Sequence, residues 1–197
     1  MTRGDRRCWR AARTLGDLGA LTALWLEGWL AEHPGYPGGL DPETEPLVPT
    51  LAACNRSRLV TISSQPATAR ERGFDGAWWE QRAFVEGLVA DAGVLRRLAS
   101  LADDAGLLCV AHRYCHGCAD CPAGVTVTTR DGEPFTRAGM HIPYDDLRLQ
   151  FEGCQPAALD AVCSAWQVAV VDPVWGRNAV LWPLLELERS RPVGALP

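Results

Sequence analysis

The chain has 197 residues, 47% hydrophobic and 22% charged, with a formal net charge of −5, enough for one domain with a substantial core. All 19 basic residues are Arg, so P-loop, Schiff-base and general-base lysine chemistry is excluded. A pI near 5.4 also argues against a sequence-independent nucleic-acid binder, which needs a basic face.

No run of about 18 uncharged apolar residues occurs. The basic start (Arg3, Arg6, Arg7, Arg10, Arg13) leads into an apolar stretch that carries Asp17 and Glu27, which does not fit an export signal. The expectation is a cytoplasmic protein without membrane or nucleic-acid partners. Its eight Cys then serve as free thiols or metal ligands.

Along the chain, Thr14 and Asp17 form a capping box ahead of Leu18, Leu21, Trp25 and Trp29, predicting a helix over 15–31. Pro and Gly fill residues 33–42, a loop. Thr44 is placed to cap a second helix with Pro46 in its first turn. Leu59–Ser63 reads as a strand closed by Pro66, followed by a Gly-rich charged loop to about Gly76. Residues 79–89 satisfy either period and lean to strand. Val94 to Ala102 makes a helix stopped by Gly106. Leu107–Arg113 and Val125–Thr129 read as strands, the latter turning at Asp131-Gly132. Pro156 opens a helix through Ala165, Gln167–Val171 is a continuous apolar strand of the buried kind, and 178–189 is helical. The predicted class is α/β (α+β). It is one domain over 14–189 with a mixed β-sheet and flanking helices, between a basic segment 1–13 and a tail 190–197.

Common catalytic signatures are missing. There is no G-x-G-x-x-G after a strand, no G-x-S-x-G and no H-E-x-x-H. The conspicuous local feature is Cys109, His112, Cys115, His116, Cys118 and Cys121, six soft or borderline ligands within 13 residues. They are suited to zinc, or with Cys154 to part of an iron–sulfur pattern. The competing account is a loop between strands that carries thiols.

Several short motifs recur in fixed order: Pro42-Glu-Thr44, Asn55-Arg56, Leu59-Val-Thr-Ile-Ser-Ser-Gln-Pro66, Gln81-Arg-Ala-Phe-Val-Glu86, Val170-Val-Asp172 and Asn178-x2-Leu-Trp182. In this they resemble the C-terminal regulatory domain of eukaryotic methylenetetrahydrofolate reductase, from about Trp9 to Glu188. The chain also resembles a family of small stand-alone actinomycete proteins. The first resemblance implies a non-catalytic sensor or regulatory domain that binds S-adenosylmethionine or S-adenosylhomocysteine, because the flavin-binding barrel that performs the chemistry has no counterpart here. It implies ligand contacts at Glu43, Thr44, Thr61 and Ser64, at Thr126 or Thr128, and at Thr136. An aromatic face near the sulfonium adds cation–π attraction, a role that suits Trp78 or Trp79. Ser63 and Gly76-Ala-Trp-Trp79 depart from the family pattern near that pocket, and Arg82 replaces a family Lys. The alternative is a protein-interaction module of the same fold, stabilised by zinc, with a separate protein partner. Each site residue also has a structural account. Thr44 is a helix cap, Glu43 complements a helix dipole, Ser64 closes a turn, and Thr61, Thr126 and Thr128 are ordinary strand residues.

Overall fold

The computed structural model describes residues 3–36, 38–113 and 123–189. The expected α+β class holds, with the strands among the described residues divided between two four-stranded sheets whose pairings are all antiparallel, rather than gathered in one mixed sheet. The first sheet runs β1 (Val60–Gln65), β4 (Phe84–Val89), β8 (Trp166–Val171), β5 (Leu108–Arg113). The second runs β2 (Thr68–Arg72), β3 (Trp78–Gln81), β6 (Val125–Arg130), β7 (Glu133–Ala138).

Helices cover one face of the first sheet. They are α1 (Arg3–Ala11), α2 (Leu15–Leu26), α3 (Val48–Arg56), α4 (Ala92–Asp104), α5 (Tyr144–Gln150), α6 (Pro156–Ser164) and α7 (Leu181–Arg189). The main core joins them to Val60, Val85, Leu88, Val168 and Val170. A smaller cluster of Phe84, Ala169 and Val171 with Val127 and Ala138 lies between the two sheets. This three-layer arrangement explains the continuous apolar run of β8. It is buried on both faces because a second sheet covers the side away from the helices, not because its neighbours run parallel.

Several boundaries differ from expectation. The capping box forms, with Thr14 Oγ1 accepting from Asp17 N and Asp17 Oδ2 from Thr14 N, each at 3.0 Å. The helix it starts ends at Leu26, and Gly28, at φ +79°, follows in the turn. Thr44 caps nothing. It lies inside a 3-10 turn, Pro42–Leu47, that leads directly into α3 and carries no side-chain cap. The charged stretch expected as loop contains β2, and 79–89 splits into β3 and β4. The basic N-terminal segment holds α1, pinned by buried Trp9, whose Nε1 donates to Glu32 O at 3.0 Å. The tail from 190 lies outside the described residues.

Residues of the ordered motifs tie the layers together. Asn55 Nδ2 donates to Leu51 O (2.9 Å) and Thr61 Oγ1 (2.7 Å), while its Oδ1 accepts from Thr61 N (3.1 Å). Gln65 Nε2 donates to Arg82 O and Val127 O, both at 3.0 Å, bridging the two sheets. Asn178 clamps the Ala67 backbone, accepting its N–H at 2.7 Å and donating to its carbonyl at 2.8 Å. That engagement holds residue 178 outside α7. Buried Asp172 receives Nε and Nη2 of Arg177.

Candidate functional site

β1 is an edge strand of the first sheet and packs beside α2 and α3, and an irregularity between Thr61 and Ser63 leaves Ile62 unpaired in its register with β4. A regular strand turns alternate residues to opposite faces; a bulge breaks that alternation. Four consecutive residues, Thr61 to Ser64, therefore line one cavity of about 110 Å³. Thr22 and Trp25 of α2, Tyr36 and Asp41 of the Pro/Gly-rich loop, and Thr44 of the 3-10 turn supply other walls.

The chemistry of this cavity is hydroxyl-rich with an aromatic side. Thr61 Oγ1 accepts from Asn55, so its own O–H remains free to donate. The hydroxyls of Thr44, Ser63 and Ser64 make no hydrogen bond among the described residues. Thr22 Oγ1 donates to Leu18 O at 2.9 Å and lies 3.4 Å from His33 Nε2. Trp25 and Tyr36 stack with ring centroids 5.2 Å apart and planes 19° apart. Burial, aided by the charges of Glu86 and Asp41, pushes the Tyr36 hydroxyl up to about 12, so it stays protonated.

Of the predicted contacts, Thr44, Thr61 and Ser64 thus meet in one cavity. Glu43, one residue away, instead lines a neighbouring groove of about 450 Å³ with Arg72, Phe74, Trp79 and Gln81. Partial burial, then Asp41, raises the Glu43 carboxyl. The later threonines lie elsewhere. Thr126 is half-buried on β6, Thr128 is buried against Gln65, and Thr136 is exposed on β7 opposite Thr128. Trp78 carries the guanidinium groups of Arg70 and Arg72 over its ring at 5.1 and 5.9 Å, and Trp79 that of Arg130 at 5.6 Å. The cavity aromatics are Trp25 and Tyr36, which sequence reasoning assigned to a helix core and a loop. Their only signal was proximity to the Pro/Gly run.

The cysteine-rich motif is divided by its strand. Cys109 and His112 are three residues apart on β5, which places them on opposite faces. Cys109 packs against the main core, and burial raises its thiol. Cys154 is buried there too, its thiol pushed up to about 11. Cys115, His116, Cys118 and Cys121 lie outside the described residues. Among the described residues no three His, Cys, Asp or Glu gather as a metal site, and no helix is long and apolar enough to cross a membrane.

A family model described as a domain of unknown function (DUF6919) matches residues 4–189. The chain belongs to this family. The match spans every described helix and strand but the first residue of α1. No curated protein matches the chain.

Proposed function

We propose that this domain is a non-catalytic small-molecule sensor whose hydroxyl-lined cavity receives the amino-acid end of S-adenosylmethionine or S-adenosylhomocysteine. The observation that carries the reading is the convergence of Thr44, Thr61 and Ser64, from the 3-10 turn and both sides of the β1 bulge, on one cavity. Hydroxyls there donate to a carboxylate and accept from an ammonium group. The Trp25–Tyr36 wall favours a cation over its neutral counterpart, and so the sulfonium ligand over the demethylated one. A volume of about 110 Å³ is below the usual range for a whole drug-sized ligand, roughly 300–1,000 Å³. The nucleoside therefore extends out of the cavity, past the exposed lining residues Gly39 and Asp41.

Calorimetry of the purified chain with each ligand tests this. Saturable binding is expected, tighter for S-adenosylmethionine. Thr61→Val and Ser64→Ala each weaken it about tenfold, the scale of one lost hydrogen bond. No heat and no thermal shift at millimolar ligand would overturn the reading. Incubation with labelled S-adenosylmethionine, expected to show no turnover, checks the non-catalytic part.

A second reading, a protein-interaction module, draws on fully exposed Phe74 at the β2–β3 hairpin and half-exposed Phe135 on β7. It predicts that Phe74→Ser abolishes association with a co-purifying protein while leaving ligand binding unchanged.

A further inference from the structure

The segment 139–143 crosses the first sheet beside the end of β5. Gly139 N donates to the carboxylate of Glu86 on β4. Gly139 adopts φ +76°, and a Cβ there would come within 3.1 Å of Val110 Cβ. Three residues on, the Gln167 side chain of β8 pairs with the Ile142 backbone, accepting from its N at 2.7 Å and donating to its O at 2.9 Å. His141 is thus held between two anchored residues.

What it is held against is His112. On β5, His112 pairs in register with Gln167, the residue that performs the clamp. The two imidazole centroids are 5.6 Å apart with planes at 45°. Two imidazoles on one tetrahedral ion, with nitrogen–metal bonds of about 2 Å, have centroids roughly 5 Å apart. Nδ1 of His112 is buried and has no hydrogen-bond partner among the described residues, a costly state for a polar atom unless something engages it.

We infer that His112 and His141 form a two-histidine site for a borderline divalent cation such as zinc, preorganised by the Glu86–Gly139 and Gln167–Ile142 clamps. The structure replaces Cys109 as partner of His112 by a residue 29 positions downstream. Two protein nitrogens leave the remaining coordination positions to water or other donors. This site is independent of the hydroxyl-lined cavity.

Cobalt(II) and zinc(II) titrations of the metal-free full chain test it. One equivalent is expected, with cobalt d–d absorption that His112→Asn and His141→Asn each weaken at least tenfold in affinity. Zinc should also perturb the NMR ring-proton signals of both histidines in the unmodified protein, a readout that survives if a variant misfolds. Unchanged affinity in both variants, binding with unperturbed histidine signals, or no stoichiometric uptake would overturn the inference.

Discussion

His33 is enclosed by Trp9, Trp25, Tyr36 and Phe151, with ring centroids 4.7–5.8 Å away. Its Nδ1 accepts from Gly35 N at 3.0 Å, which leaves the ring proton on Nε2, facing Thr22 Oγ1. Burial pushes its pKa from 6.5 down to about 3. Over that window the unfolded chain holds a proton that the folded one refuses, so the His33 contribution is full above pH 6.5 and is lost progressively as pH falls toward 3. Glu86, raised by burial, acts in the opposite direction. The wild-type-minus-His33→Phe difference in urea-unfolding free energy isolates the His33 part, and it should rise with pH between 3 and 6.5. In the sequence His33 is only a histidine before Pro-Gly. The aromatic enclosure comes from α1, α2 and the segment after α5, and no local pattern announces it.

At the level of elements, α2 and α3 meet at Gly19, where an added Cβ would lie 2.4 Å from Asn55 O and 3.2 Å from Val60 Cγ2. The first obstacle is backbone, so the helices must separate to admit it. Gly19→Ala is expected to destabilise the fold by about 1–3 kcal/mol, the range for overpacking, despite its better helix propensity. Chemical denaturation measures this, and Gly16→Ala, with only Thr14 Oγ1 at 3.7 Å, serves as the unobstructed comparison, where the propensity gain is not offset by overpacking. Most elements were legible from period and caps. α2 announces itself by its capping box, α4 by its apolar stripe, and α6 by Pro156. β2, by contrast, is Thr-Ala-Arg-Glu-Arg, exposed along four of its five residues. An edge strand without a buried face carries no alternation to read. The bulge at Ile62 was equally hidden, because strand register is set by the partner strand, not by the strand's own residues.

Across the whole molecule, Gln65 joins the two sheets. Its amide serves the carbonyls of Arg82 and Val127, and its side chain also lies 3.3 Å from the Thr128 hydroxyl. Arg82 adds to the same seam. Its Nη1 donates to Thr126 O at 2.8 Å and its guanidinium lies 4.1 Å from the Trp175 ring centroid. A Lys would keep the charge at this position but not the planar stack. Gln65→Leu leaves buried carbonyls without that donor, and a loss of about 1–3 kcal/mol is expected. Hydrogen exchange should show the loss concentrated in β2, β3, β6 and β7, with β4 and β8 protected; uniform loss across both sheets would refute a role confined to the seam.

Asn55, Gln65, Asp172 and Asn178, which stood out as motif residues, are the polar ties of this fold. Each brings a polar side chain to partners elsewhere in the chain, as the burial of Asn55, Gln65 and Asp172 requires. The α+β class, the starts of α2 and α6, the apolar stripe of α4 and the hydroxyl residues of β1 were determined by the sequence alone, since periodicity, caps and β-branched runs act over a few residues. Only the tertiary structure decided that the strands form two sheets, that Thr44, Thr61 and Ser64 converge while Thr126 and Thr136 do not, and that His112 meets His141 instead of Cys109. These depend on which strands pair, in what register and over which face, and such long-range choices leave no local periodicity in the chain.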